Sequence, residues 1–451
     1  MSNKTMFYLF ITFALFSVIC SQLTEGNKEM IIRMLKKKQS QNGLFDSSID
    51  QTVKAIKTMK ILGIEIPFIP KICSSIKEAQ ESNISIYEID KELSCKANLK
   101  KMNFNEKELR NTKISKVLKT IKYIDVTNQK ADWEEIYDSV KPFLSKNKFS
   151  GRAETKTKTI QATAYGIQIL GILFNHVPED KQNKIKENLP LIFNALQSAV
   201  QELSSDVNIF QEKYSSIYAL NHDIIEGLQM TKNIAPFPRY QEVYTKILNY
   251  FLRFRYEAFD IDGAYNLLGI YKMLNDIPVM NLDKTFFHYK DNNNLVISFT
   301  DALGNSKTLN GYTLKYAIKK IDDYEMRAEL DLDESNTKYK KHKGTVEIKE
   351  QNKVTLKLGE FLKEKGKYSI KFALVNKDLK YDIRKEEQLK VITNIELKNL
   401  KFKVDNTADP SLKESEINLS YPKRSLRNFK ANQDSVLILT VKAESEDNSQ
   451  E

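Results

Sequence analysis

The sequence predicts a multidomain α+β protein, in which an N-terminal α-helical superhelix or toroid of helical hairpins precedes an antiparallel β-sandwich and a partial second β-domain. Three observations predict this fold class. Only 14 glycines and 10 prolines occur in 451 residues, which is few and favours long helices. Apolar residues recur at helical spacing from about residue 27 to residue 281. Beyond about residue 285 the apolar spacing changes to the alternation that is typical of strands.

Three segments of the helical region resemble one another, and each has a broad apolar face followed by a proline that ends the helix. They are residues 51–64, 160–173 and 262–274, followed by Pro67, Pro178 and Pro278. More amphipathic helices are predicted between them, at residues 179–203 and 211–230. Because helices this apolar need cover on more than one side, we expect inner and outer helices to alternate, as in stacked hairpins. We assign this helical hairpin domain to residues 22–284.

The remainder of the chain has the pattern of short strands. The candidates are residues 295–300, 312–318, 344–348, 354–358, 367–374 and 389–392, with turns at 304–305 and 310–311. They predict a β-sandwich at residues 285–393. Later candidates are residues 395–404, 416–421 and 435–442. These either begin a second β-domain over residues 394–451, which includes an acidic tail, or complete the first, since a whole sandwich needs about 100 residues.

The N-terminus has the features of a secretory signal peptide, assigned to residues 1–21. Lys4 precedes an apolar run over residues 6–20, and Cys20 and Ser21 are small residues suited to cleavage. The run is short for a bilayer, which needs about 20 residues. Cleavage is the favoured prediction and a retained signal anchor the alternative. We expect no transmembrane helix in the rest of the chain.

A secretory compartment would determine whether the cysteines pair and whether the glycosylation sequences can be modified. If Cys20 leaves with the signal peptide, Cys73 and Cys95 remain, and an oxidising lumen favours a disulfide between them over two buried thiols. Two acceptor sequences for N-glycosylation begin at Asn83 and Asn418. Such sequences are common by chance, so each adds only a little to the secretory interpretation.

The sequence contains no motif of a catalytic, cofactor-binding or metal site. Its histidines are His176, His222, His288 and His342; they are far apart, and none lies in a His-Glu-x-x-His helix. Phosphate-binding glycine loops, Cys-x-x-Cys and Gly-x-Ser-x-Gly are absent. The net charge of +11 comes from lysines spread along the chain, which argues against nucleic-acid binding. We therefore predict no catalytic residue, no cofactor and no metal ligand.

Several segments, in order along the chain, carry a family resemblance. They are residues 55–64, 70–73, 93–95, 365–374, 389–397, 418–422 and 429–440. Among them are a Gly-x-Tyr strand at Gly366 and Tyr368, and a cysteine after each of the first matching helices. Together the segments resemble the ribophorin II family, an accessory subunit of the oligosaccharyltransferase complex.

The resemblance implies a non-catalytic luminal subunit that acts in protein N-glycosylation, as a scaffold or by positioning substrate. The implied location is the endoplasmic reticulum lumen, at its membrane. The implied partners are the other subunits of the complex, including the catalytic one, and indirectly nascent polypeptides. The catalytic subunit carries a Trp-Trp-Asp signature, whereas the single tryptophan of this chain, Trp133, is followed by Glu134.

The sequence departs from the family in its transmembrane segments. The family ends in a bundle of transmembrane helices, and none is present here. Either the sequence is shortened, or the chain is a divergent member that associates with the membrane only through its complex.

The main alternative function is a secreted or luminal binding protein that shares the architecture alone. A luminal enzyme would instead have a polar cleft inside the helical array.

Overall fold

The structure is a computed structural model that describes most of the chain. The described residues are 25–78, 84–99, 112–154, 157–204, 207–253, 260–289, 293–321, 342–376 and 382–392, together with the backbone of five short strands between residues 395 and 445. The predicted signal peptide at residues 1–21 and the glycosylation candidate Asn83 lie outside them. Among the described residues, no helix combines the length and the apolar character needed to cross a bilayer.

The mixed α+β composition is confirmed. The described part of the chain contains eleven α-helices, which end before the first strand of the larger sheets. They are α1 (Glu25–Lys38), α2 (Ile49–Ile61), α3 (Ile69–Lys77), α4 (Ile84–Leu93), α5 (Ile114–Val126), α6 (Trp133–Val140), α7 (Ile160–Phe174), α8 (Glu179–Gln197), α9 (Ile217–Thr231), α10 (Tyr240–Arg253) and α11 (Ile261–Met273). The three related segments of the sequence correspond to α2, α7 and α11, so their prediction as helices is confirmed.

Six of the helices pack in a closed circuit. Helix α2 packs on α4, α4 on α5, α5 on α7, α7 on α9 and α9 on α11, and α11 returns to α2. Helices α1, α3, α8 and α10 each pack against one member of the circuit. Apart from α4 and α5, consecutive circuit helices are separated along the chain by a helix that lies outside the circuit. One buried apolar cluster joins members of both sets, and α3 and α4 contribute to a second, smaller one.

Side-chain caps define where four circuit helices begin. The residues before α2, α7, α9 and α11 each accept a hydrogen bond from a backbone N–H of the first turn. These caps are Ser48, Thr159, Ser216 and Asp260. Asp260 Oδ1 accepts from the Gly263 N–H at 2.6 Å. The cap gives this aspartate a structural role.

Two predicted helix boundaries in this region are wrong. The helix predicted over residues 179–203 ends at Gln197, and the one predicted over 211–230 begins at Ile217. Between them a hairpin forms from β3 (Val200–Ser204) and β4 (Val207–Phe210). β-Branched and aromatic side chains in the second strand favour an extended backbone, and all four of its residues are buried. A second short hairpin, β1 (Leu144–Ser145) with β2 (Lys148–Phe149), precedes α7.

The next strands form two sheets. They are β5 (Val279–Leu282), β6 (Phe286–His288), β7 (Asn294–Thr300), β8 (Tyr312–Ile321), β9 (Lys343–Ile348), β10 (Lys353–Lys357), β11 (Gly366–Asn376) and β12 (Ile383–Ile392). One sheet has the strand order β10-β7-β5 and the other β6-β12-β11-β8-β9. All pairs are antiparallel except β12 with β6, which is parallel and departs from the predicted antiparallel arrangement. The six predicted strands are therefore present.

The two sheets share one apolar core. Ile297 and Phe299 of the first sheet and Ile370 and Phe372 of the second belong to a single buried cluster. Strand β5 contributes to the first sheet although it precedes the predicted boundary at residue 284. The sheet therefore begins upstream of that boundary.

The last described strands pair among themselves. They are β13 (Ile395–Glu396), β14 (Leu400–Asn406), β15 (Ile417–Leu419), β16 (Ser435–Val441) and β17 (Glu444–Ser445). Strand β14 pairs with β15 and β16, and β13 pairs with β17, all antiparallel. Within the described backbone none of them extends the two earlier sheets.

Candidate functional site: the polar centre of the helical circuit

The structure contains the disulfide that the sequence suggested. Cys73 lies in α3 and Cys95 follows α4, with 5.0 Å between their Cα atoms. The bond closes a loop with a sequence separation of 22 residues and ties α3 to the end of α4. A small apolar cluster that includes Ile72 and Ile89 packs beside it. This cross-link is structural, since it constrains the unfolded chain more than the folded one.

The structure describes the two glycosylation candidates only in part. Asn83 lies outside the described residues, but Ser85 of the same acceptor sequence is buried and its hydroxyl donates to Asp50 Oδ1. Asn418 lies in β15, where the structure describes the backbone only.

The four histidines are not brought together. His176 stacks on Trp133, with 4.0 Å between ring centroids, and its Nε2 lies 2.6 Å from Asp125 Oδ1. His288 lies in β6, and His342 lies near the ring of Phe361. His222 lies beside Asp223 and Glu226, in a larger group of ionisable residues.

Those groups belong to a polar cluster that all six circuit helices supply, and we call it the polar centre. Its members are Asp50, Lys54, Lys57, Glu88, Lys119, Lys122, Gln161, His222, Asp223, Glu226 and Asp262. Side-chain hydrogen bonds connect them from helix to helix. Lys57 Nζ donates to Glu88 Oε1 at 2.7 Å, joining α2 to α4, and Lys54 pairs with Asp262, joining α2 to α11.

Two of the ion pairs cross the space that the circuit encloses. Lys122 Nζ on α5 donates to Glu226 Oε1 on α9 at 3.1 Å, although α7 lies between these helices in the circuit. Likewise Lys119 Nζ on α5 donates to Asp50 Oδ2 on α2 at 2.6 Å, past α4. The side chains of Lys119 and Asp50 are 54% and 47% exposed, and Asp50 lies in the first turn of α2, so this pair lies at an end of the circuit that is open to solvent. Lys122 and Glu226 are less exposed, so the polar centre extends from this open end into the space between the helices.

Helix α9 presents three potential metal ligands in this interior. One ligand atom each from His222, Asp223 and Glu226 lies within 4.8 Å of the others. Other groups already contact the two carboxylates, because Lys122 donates to Glu226 and Gln161 Nε2 donates to Asp223 Oδ2 at 2.6 Å. A cation bound here would displace the ammonium group of Lys122 or share Glu226 with it.

The electrostatic environment lowers the pKa of three carboxylates of the polar centre, Asp50, Glu226 and Asp262, so that they stay ionised. Burial alone would raise the pKa of Glu226, but the positive charges of Lys122 and Lys57 outweigh it and lower that pKa below its ordinary value. The pKa of Asp50 is lowered in the same way, since bonds from Lys119 and the Ser85 hydroxyl exceed the effect of burial. An ionised carboxylate cannot donate a proton, so these groups are poorly suited to act as general acids.

Two tyrosines beside the polar centre stay protonated. Burial, with the negative charge of Asp223 nearby, raises the pKa of Tyr165. Burial and the charge of Glu226 raise the pKa of Tyr265. Tyr265 also packs on His222, with 5.2 Å between ring centroids. The polar centre thus contains four lysines and five carboxylates, so its charges nearly balance. The two tyrosines beside it are neutral.

The polar centre was not predicted from the sequence, from which we expected no catalytic residue and no metal ligand and noted His222 only as one of four histidines far apart in the chain. One signal was available. Lys54 and Lys57, and likewise Lys119 and Lys122, are three residues apart, so each pair shares one face of an amphipathic helix and needs partners there.

The chain was also compared with known proteins. No protein-family model matches it, and no curated protein matches it.

Proposed function

We propose that this protein is a non-catalytic luminal subunit of the oligosaccharyltransferase complex that acts in protein N-glycosylation as a scaffold or by positioning substrate. The observation that carries the proposal is the succession of parts. A circuit of helices with a disulfide across α3 and α4 is followed by a two-sheet unit and then by further paired strands. This is the order that the resemblance to ribophorin II implies.

The finer architecture belongs to the same proposal. The closed circuit, with further helices packed on its members, supports a toroid of helical hairpins. The shared core of the two sheets supports a β-sandwich. Both are architectures that present large, defined surfaces, which suits a subunit that holds its neighbours in register.

The polar centre supports a structural rather than a chemical role. A luminal enzyme was expected to have a polar cleft inside the helical array, and polar groups do lie there. Two of the carboxylates, Asp50 and Glu226, are however paired with lysines at 2.6–3.1 Å in the cross-circuit bonds, and their pKa values are lowered. A carboxylate held by an ammonium group is less available as an acid or a base, so these pairs support a role in helix packing.

Recovery of the complex from microsomes tests the proposal. The protein, tagged after Glu451, is captured in mild detergent and its partners are identified by mass spectrometry. A luminal protein with the same signal sequence and tag serves as the control. We expect the catalytic transferase subunit and its neighbours in the capture and not in the control. Recovery of the protein alone, or only from the medium, would refute the proposal and favour a secreted binding protein.

A second experiment separates scaffold from enzyme. Depletion of the protein should lower N-glycan occupancy of a reporter glycoprotein, and the wild-type chain should restore it. The variants Asp223→Asn and Glu226→Gln keep the shape of the polar centre and remove the two carboxylates nearest His222. A scaffold carrying them should restore occupancy. If they enter the complex at wild-type levels and restore nothing, the polar centre is catalytic and the non-catalytic proposal fails.

A further inference from the structure

A cavity lies where the helical part meets the first two sheets. It has a volume of about 500 Å³. Its helical wall comes from the end of α9, the start of α10 and the end of α11, and its other wall is Tyr312 of β8 and Ile383 of β12. These two residues lie at the same end of one sheet, because Leu374 of β11 pairs with Ile383 and Asn376 of the same strand pairs with Tyr312.

A direct bond joins the two walls beside the cavity. Asn249 Nδ2 of α10 donates to the carbonyl of Arg384, which directly follows Ile383 of the lining, at 3.3 Å. The next residue, Lys385, joins the two sheets, since its Nζ donates to the Met280 carbonyl of β5 at 2.7 Å. The volume of the cavity lies in the range of small-molecule sites, about 300–1,000 Å³.

Aromatic rings form much of the lining. Tyr240 and Tyr244 of α10 meet edge to face, with 5.9 Å between their centroids, and Tyr312 lies on the opposite wall. Tyr240 is 41% exposed, which is unusual for a large ring beside a cavity. Burial raises the pKa of the Tyr244 hydroxyl, so that ring is set deeper. Tyr240 therefore lies at the mouth of the cavity and Tyr244 lies deeper within it.

Amide side chains complete the lining and give it a polar edge. Gln229, Asn233 and Gln241 contribute amides from α9, α10 and their connection. Gln229 Nε2 donates to the Met273 carbonyl at 2.6 Å, which fixes the position of that amide. The two charged residues of the lining, Lys232 and Asp276, are opposite in sign. The cavity therefore has no net preference for an anion or a cation.

We infer that this cavity, the junction pocket, binds a neutral carbohydrate of one or two pyranose rings. A pyranose has one face of C–H groups that packs on an aromatic ring and an edge of hydroxyls that both donate and accept. Amide side chains do both as well, so they match such an edge. A charged ligand would find no excess of opposite charge in the lining, because Lys232 and Asp276 balance each other.

The inference does not rest on the assignment to the transferase complex. A secreted binding protein with the same junction pocket would take the same ligands. The site assigned is also separate from the polar centre, since no residue of the polar centre lines the junction pocket.

Saturation-transfer NMR on the full chain tests the inference. Attached glycans are first removed with an endoglycosidase so that they neither compete nor contribute signal. The probes are methyl α-mannopyranoside, cellobiose and N,N′-diacetylchitobiose, with decaproline as a peptide of comparable aromatic-stacking ability. We expect transfer to the ring protons of at least one sugar, with an affinity that Tyr240→Ala weakens about three- to tenfold.

Two variants make the test specific. Tyr214→Ala removes the same type of side chain from a tyrosine outside the pocket, one that is 93% exposed, and should leave binding unchanged. Asn233→Ala removes one exposed amide and should weaken sugar binding without unfolding the chain, as judged by an unchanged thermal midpoint. The inference is overturned if no sugar binds, if only decaproline binds, or if sugar binding survives Tyr240→Ala undiminished.

Discussion

Replacing Lys122 by methionine tests how much a cross-circuit ion pair contributes to the fold. Lys122 and Glu226 are 26% and 33% exposed in their side chains. Removing one partner costs about 3–5 kcal/mol for a fully buried pair and about 0–1 kcal/mol for an exposed one. Because solvent partly screens this pair, we expect Lys122→Met to lower the free energy of unfolding by about 1–2 kcal/mol at pH 7.

The loss should depend on pH in a definite direction. Despite the opposing effect of burial, Lys122 and Lys57 hold the pKa of Glu226 below its ordinary value. A carboxylate whose pKa is lowered by folding stabilises the protein above its unfolded pKa and loses that contribution as the pH falls through the folded value. Without Lys122 much of the lowering is gone. Wild type and variant should therefore differ most near pH 7 and converge below about pH 4.

Urea unfolding followed by tryptophan fluorescence measures the change in the free energy of unfolding in the helical part. Trp133, the single tryptophan, lies in α6 and stacks on His176, so its emission reports the helical part. The control is Lys60→Met, which removes the same charge from a pair with Glu92 on the adjacent helix. It should cost less than the test substitution. In a Glu226→Gln background, Lys122→Met should lose most of its cost. Equal effects of Lys122→Met and Lys60→Met, or a loss that grows towards pH 4, would contradict the reasoning.

Three further predictions concern the disulfide, a helix contact and metal binding. Replacing Cys73 and Cys95 by serine should lower the free energy of unfolding by about 2–4 kcal/mol, measured by the same fluorescence assay without reductant; an unchanged midpoint would mean that the bond constrains little. Gly269→Ala should cost about 1–3 kcal/mol, since a Cβ there would lie 2.5 Å from His222 Nε2, whereas Gly151→Ala meets no atom within 4 Å and should be neutral. Addition of Zn²⁺ or Mn²⁺ should leave the thermal midpoint unchanged, because Lys122 already neutralises Glu226; a rise that disappears in His222→Ala would identify a metal site.

The elements that the sequence predicted well are those whose patterns are set by local burial. Helix α7 was located to within one residue, because apolar residues around most of its surface can be satisfied only inside a core. Strand β11 was recognised from the alternation around Tyr368, which the pleat requires when one face of a strand is covered. The β3–β4 hairpin was missed because its few residues continue the amphipathic pattern of α8.

The polar centre could not be predicted from local patterns. Its bonds join residues far apart in the chain, with separations of 31 for Lys57 and Glu88, 104 for Lys122 and Glu226, and 208 for Lys54 and Asp262. Nothing within a single helix indicates which distant helix will supply the partner. A charged residue on an apolar helix shows that a partner is needed, but only the closing of the circuit determines its identity.

The interior of a helical circuit explains why such pairs occur there at all. Apolar side chains could also fill that space, and replacing buried ion pairs by apolar groups is often neutral or stabilising. Apolar contacts, however, do not discriminate strongly between neighbouring arrangements, whereas a lysine such as Lys122 that misses Glu226 leaves a partly buried charge without its partner. The stems of lysines also contribute apolar contact while their ammonium groups reach across the interior. The Lys122–Glu226 pair therefore penalises any packing in which α5 does not face α9, whereas Lys119 and Asp50, with 54% and 47% of their side chains exposed, add little to this penalty. For a protein proposed to hold other subunits in register, a single defined packing of the helices matters more than the last increment of stability.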